Sequence, residues 1–165
     1  MISRLEQAKL DIIAEFAAIT TANGFRNNVI QAIGAARPSS IIPPTGFPEV
    51  GVVVPKINFN SGGDGSSRSF DEVATVFVIG KFEAQTATDY DSAEFQLAQE
   101  SLINDFATVW ATISTKYISD TDGRWCIVSA NSKIIVSADL GEKPNRGNVE
   151  MSFQIALNGQ GQDFI

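Results

Sequence analysis

Histidine is absent from the 165 residues, and cysteine occurs once, at Cys126. The first absence removes the usual general base near neutral pH, the commonest zinc ligand, and the ordinary Ser-His and Cys-His hydrolase arrangements. The second excludes an internal disulfide and a multi-thiol metal site. Cys126, inside the apolar run Trp125 to Val128, is expected to act as a small buried hydrophobe. No apolar run approaches the ~18 residues that cross a bilayer, so no membrane partner is expected. Glu6, Lys9 and Asp11 interrupt the stretch where a secretory leader would need continuous apolar residues, so none is expected there. Positive charge is also scarce, with 12 Lys and Arg against 19 Asp and Glu and a net charge of −7. Proteins that grip nucleic acid by neutralising phosphates carry the opposite balance.

What is present reads as one domain over residues 1–165, of the size that a single core commonly serves. Leu5, Ala8, Ile12, Phe16 and Ile19 recur at steps of three and four and predict a helix over 3–20. Ser3-x-x-Glu6 opens it as a capping box, and Asn23-Gly24 is expected to close it, because glycine takes the left-handed conformation at no steric cost. Asn28 to Ile33 predicts a strand, and Val50 to Val54 a short buried one closed by Pro55. Four prolines between Arg37 and Pro48 predict an irregular, stiff connection.

Asn58 to Ser69 is polar and glycine-rich and is expected as a long mobile loop. Residues 71–84 alternate with few polar positions, which predicts a central strand covered on both sides for its first half. Asp91-x-x-Glu94 then opens a second helix over about 92–115, striped by Phe95, Ala98, Leu102, Phe106, Val109 and Ile113. Strands follow at Trp125 to Val128, Lys133 to Ala138 and Val149 to Leu157, the last the most regular alternation in the chain. Gly141 to Gly147 is expected as a loop and 158–165 as a flexible tail. The order predicts an α+β fold: a mostly antiparallel sheet of four to six strands with two main helices packed on one face. The opposite face is then left to solvent or to a neighbour.

Few constellations suggest chemistry. Gly62 to Ser67 lacks the Lys-Ser/Thr ending of a phosphate loop. Asp120-x-Asp122-Gly123 lacks the remaining ligands of a calcium loop and reads as a turn. Asp89, Asp91 and Glu94 stand at a helix start, where exposed amides favour carboxylates without any catalytic role. No catalytic, metal or cofactor residue is therefore assigned, no cofactor is expected, and the chain is not expected to be an enzyme. Two surface features remain. Phe47, Phe59, Phe70 and the terminal Phe164 and Ile165 lie in or beside loops and are candidate subunit or partner contacts. From Phe82 to Thr115 there are six acids, Glu83, Asp89, Asp91, Glu94, Glu100 and Asp105, and no Lys or Arg.

The first helix ending Ala17-Ala18-Ile19-Thr20-Thr21-Ala22-Asn23-Gly24-Phe25, the strand and proline-bearing loop after it, and the final strand Val149 to Leu157 together resemble the phage tail terminator family, the minor tail protein U-like proteins. The resemblance runs along most of the chain in outline, but only the helix exit is specific in its letters. The Asn58 to Ser69 loop and the tail after Leu157 have no match in it. The resemblance implies a structural virion protein that caps the tail tube as a homo-oligomeric, hexameric ring, ends tube polymerisation and offers the joining surface for head and neck. Implied partners are the tail tube protein, neck or connector proteins and a sheath where one exists, with DNA passing unbound. The implied location is the head-proximal end of the tail, after assembly in the host cytoplasm. The six acids would then line the lumen and repel the passing polyanion. The alternatives are a head-completion or neck connector subunit and a small-ligand-binding α+β domain.

Overall fold

The computed structural model describes residues 3–35, 46–61, 69–85, 87–117, 125–128, 135–140, 143–157 and 159–160. Helix α1, Arg4–Ala17, starts as the sequence predicts: Ser3 Oγ accepts from the Glu6 amide at 3.1 Å, and Glu6 Oε2 accepts from the Ser3 amide at 2.9 Å. Its end differs from expectation. The helix stops at Ala17, and Gly24, at φ 87°, closes a separate 3-10 turn over Thr21–Asn23 that Thr20 opens. Asn23 still serves the helix, through its side chain, whose Nδ2 donates to the Ala18 carbonyl at 2.8 Å.

The sheet has five lanes. β1 (Gln31–Ala35) runs parallel to β2 (Glu49–Ser61), and every other pairing is antiparallel: β2 with β3 (Ser69–Glu83), and β3 with β6 (Arg146–Ala156). The outer edge of β6 is shared by β4 (Cys126–Ile127) and β5 (Ile135–Leu140), while β7 (Gly159–Gln160) continues the β6 lane along β3 in unbroken register. Helix α2, Ala93–Lys116, connects β3 to β4. This is the α+β fold that the order of elements predicts.

Five strands, β1, β2, β3, β5 and β6, extend past a predicted limit, β2 by the most. β2 does not end at Pro55 but crosses it, with a one-residue register shift between Val53 and Lys56. A proline cannot donate to the ladder, and a bulge is one of the few places in a sheet that tolerates it. The extra residue also switches the parity of the strand. Val50 and Val52 face the helices before the bulge, and Ile57 packs against the same core after it; without the bulge, Ile57 would fall on the other face. Strand structure therefore reaches Ser61 on one side and resumes at Ser69 on the other, which takes 58–61 and 69 out of the expected 58–69 loop; residues 62–68 lie outside the described residues. Likewise β7 puts Gly159 and Gln160 of the expected tail into the sheet.

Both helices lie on one face. Phe16 of α1 meets Phe106 of α2 edge-on, centroids 5.0 Å apart, and one buried cluster joins them to Val50, Val52, Val76, Val78, Met151, Phe153 and Ile155. Each such apolar side chain contributes roughly 1.5–3 kcal/mol on burial. Helix α2 lies close against the sheet at Gly80, where a Cβ would stand 2.6 Å from Phe106 Cζ and 3.1 Å from Leu102 Cδ2. Gly80→Ala should therefore cost about 1–3 kcal/mol by overpacking, and Phe106→Leu should recover part of it. Denaturant unfolding of the single and double variants measures both.

Candidate functional site

The acidic stretch divides once its residues are placed. Ser92, not Asp91, caps α2, its Oγ accepting from the Phe95 amide at 3.2 Å, while Asp89 Oδ1 accepts from the Asp91 amide at 3.0 Å. Asp89, Asp91 and Glu94 are exposed at the start of the helix, where carboxylates are favoured by its dipole, and Glu100 is exposed two turns in. Leu97, 66% exposed, stands among them. Glu83 lies apart, at the end of β3, where its Oε2 receives Arg146 Nε at 2.7 Å. Its charge is thus matched.

Asp105 does not belong to any acidic surface. It is 1% exposed, and Oδ1 accepts from the Arg26 amide at 3.0 Å while Oδ2 accepts from the Asn27 amide at 2.9 Å and from Asn27 Nδ2 at 2.8 Å. Asn27 Nδ2 also donates to Ser101 Oγ at 3.0 Å. The carboxylate ties α2 to the turn that carries the chain from α1 into β1. Its place as a lumen candidate is withdrawn, because the burial that explains it also hides it. The signal lay in the α2 stripe, where position 105 falls between Leu102 and Phe106 on the apolar side.

The candidate aromatic contacts separate as well. Phe47 is half-buried, with the Arg146 guanidinium 4.8 Å from its ring centroid, in cation–π contact. Phe59 and Phe70 are not in loops: they pair with Glu72 and Ser61 in the β2–β3 ladder. Phe164 and Ile165 lie outside the described residues, as do Asp120 to Gly123. Cys126 is half-buried in β4, where full burial was expected.

The sheet face away from the helices is not bare. Positions alternating with the core place Glu49, Gly51 and Val53 of β2, Phe77, Ile79, Lys81 and Glu83 of β3, and Arg146, Asn148 and Glu150 of β6 on that side. Most are half-buried, but Glu49, Gly51, Val53 and Ile79 are buried, and Val53 and Ile79 form a small apolar cluster with Phe77. The expectation of a face wholly left to solvent or a neighbour is corrected to that extent. Sequence reasoning missed Glu49. It is 0% exposed, and neither carboxylate oxygen has a hydrogen-bond partner. Burial pushes its carboxyl above the ordinary 4.5, and the nearby Lys81 ammonium pulls in the opposite direction.

Among the described residues, no group of three or more His, Cys, Asp or Glu side chains could hold a metal ion, and no helix is long and apolar enough to cross a membrane. No protein-family model and no curated protein sequence matches the chain.

Proposed function

We propose that the chain is a structural subunit of a phage tail, forming a ring that caps the tail tube, ends its polymerisation and presents the joining surface for the neck. The reading rests on the resemblance carried by residues 17–25 and by the order of elements. The α+β arrangement, with both helices on one side of the sheet, is compatible with it. The observation that carries it furthest is the acidic first half of α2 and the turn before it: Asp89, Asp91, Glu94 and Glu100 are all exposed, in a segment from Phe82 to Thr115 without a basic residue. A ring traversed by DNA benefits from like charge on its inner wall, because a polyanion does not adhere to it. Asp105 and Glu83 take no part in that role, the first being buried and the second paired.

Cyclic assembly joins two different patches of each subunit head to tail. The work in this reading is done by shape and repeated contact, with no reaction catalysed. Particles assembled without the chain should carry tubes of uncontrolled length in electron micrographs. Tubes of normal length would overturn the proposal. Finding the chain on tailless heads and not on headless tails would transfer it to a neck connector, which shares size, acidity and ring habit. A monomer in light scattering that binds a metabolite saturably would favour the ligand-binding alternative.

A further inference from the structure

Glu49 stands at the first rung of the β1–β2 pairing, opposite Gln31 on one side and Lys81 of β3 on the other. Three contacts close the structure around that rung. The Ile30 amide donates to the Pro48 carbonyl at 2.9 Å, Gln31 pairs with Glu49, and Phe47 lies over Arg146, two lanes away across the sheet. The segment 46–48 thus bridges the start of β1 and the start of β6, with a fully buried carboxyl next to it that makes no hydrogen bond. A buried carboxyl without partners is tolerable when neutral and strongly disfavoured when ionised. An ionised one either captures a donor or moves to water.

Among the residues whose side chains are described, few charged groups share its sheet face. β3 contributes Lys81 and Glu83, and β6 contributes Arg146 and Glu150, while the β1 positions on that face, Gln31 and Ile33, are neutral. Arg146 and Glu83 are engaged with each other. Lys81 is the adjacent cation, yet it makes no hydrogen bond to the carboxylate. None of these described groups therefore offsets the ionised form in full.

We propose that Glu49 is a proton-operated latch: protonated, it lets the 46–48 segment and β1 close over the end of the sheet, and ionised, it drives that end to open. The inference stands on the burial and isolation of the carboxyl and is independent of the assembly reading. Its direction follows from linkage. A carboxyl held above its ordinary value in the closed form stabilises that form at low pH, and this contribution is lost as pH rises from the ordinary 4.5 through the raised value. α1 packs against β1 and β2 and loses contacts when that end opens, whereas the rest of the core, with α2, β3 and β6, stays closed, so opening is local and not global unfolding.

Amide hydrogen exchange of the whole protein, followed from about pH 5 to 8 and corrected for the intrinsic base-catalysed rate, tests this. Protection of Ile30 to Ile33 and Val50 to Val52 should fall by up to ~10-fold per pH unit until the raised value is passed, while α2 changes little. Glu49→Gln, which keeps shape and removes the titration, should flatten the profile. An equal slope in wild type and this variant overturns the proposal. Lys81→Met removes the charge that favours ionisation in the closed form, so the fall should begin at the same pH and continue to higher pH, and an unchanged upper limit also overturns it. Glu150→Gln should keep the wild-type profile. A flat one would assign the titration to Glu150 and overturn the role of Glu49.

Discussion

Asp105→Ala is expected to cost about 3–5 kcal/mol of folding stability, among the largest effects any single substitution in this chain should have. The carboxylate accepts three hydrogen bonds, two of them from backbone amides for which no other protein acceptor is found among the described residues. A hydrogen bond to a charged group contributes about 1.5–3 kcal/mol net, and an orphaned buried donor adds its own desolvation cost. Asp105→Asn should fall between, near 2 kcal/mol, because the three groups facing it are all donors and its NH2 can accept none of them. Asn27→Ala removes one of the three bonds and should cost about 1 kcal/mol. Urea unfolding measures all three, and an unchanged slope with a shifted midpoint would show that the loss is one of native stability. A midpoint for Asp105→Ala within error of wild type would mean that the turn at Arg26 and Asn27 is held by something other than this carboxylate.

That tether also shows where sequence reading reaches and where it stops. The stripes of α1 and α2 and the alternation of β6 were legible because periodicity is local: Ala8, Ile12 and Phe16, or Val149, Met151 and Phe153, carry their burial in their own spacing. Asp105 was half legible. Its number places it on the apolar side of α2, but a count of charges along the segment groups it with Asp89 and Glu94 and hides that position. The two backbone amides that it serves lie almost eighty residues upstream, and no local pattern announces them.

The boundaries that moved did so for similar reasons. Pro55 reads as a stop because proline breaks ladders, yet β3 runs opposite the whole of 49–61 and the bulge absorbs the missing donor. Gly24 was correctly read as a left-handed residue and assigned to the wrong turn, since Thr20 and Asn23 build a closure of their own between the helix end and that glycine. Glu49 gave no signal at all. By parity it belongs on the polar face beside Lys81, and its burial there arises from packing that only the folded chain reveals. Of the candidate contacts, Phe47 was placed beside a loop and is found there, whereas the strand positions of Phe59 and Phe70 depend on the length of the β2–β3 hairpin, which the polar composition of 58–69 obscured.

Trp125→Ala should match Asp105→Ala in size, at about 3–5 kcal/mol, the range for removing a large aromatic side chain from a core. Trp125 is 1% exposed and stacks on Tyr117, centroids 4.1 Å apart, where the chain comes back from α2 toward the sheet. Its Nε1 donates to Asp11 Oδ2 at 2.9 Å, so one ring joins α1, the end of α2 and the start of β4. The backbone reinforces the same junction through Ile127, whose amide donates to the Tyr117 carbonyl at 2.9 Å. Trp125→Phe separates the two contributions: the stack survives in part, the indole donor is lost, and Asp11 keeps only its bond from Gln7 Nε2 at 2.8 Å. That variant should lose about 1–2 kcal/mol. Because Asp11 and Trp125 interact directly, Trp125→Phe combined with Asp11→Ala should cost less than the sum of the two singles. Strict additivity would show that the Nε1 contact holds no stability of its own. Since the junction lies at the far end of α2 from Asp89, Asp91, Glu94 and Glu100, any assembly defect of Trp125→Ala should follow its loss of folded protein. If the chain assembles as proposed, oligomerisation of the variant should match wild type at temperatures where it remains native.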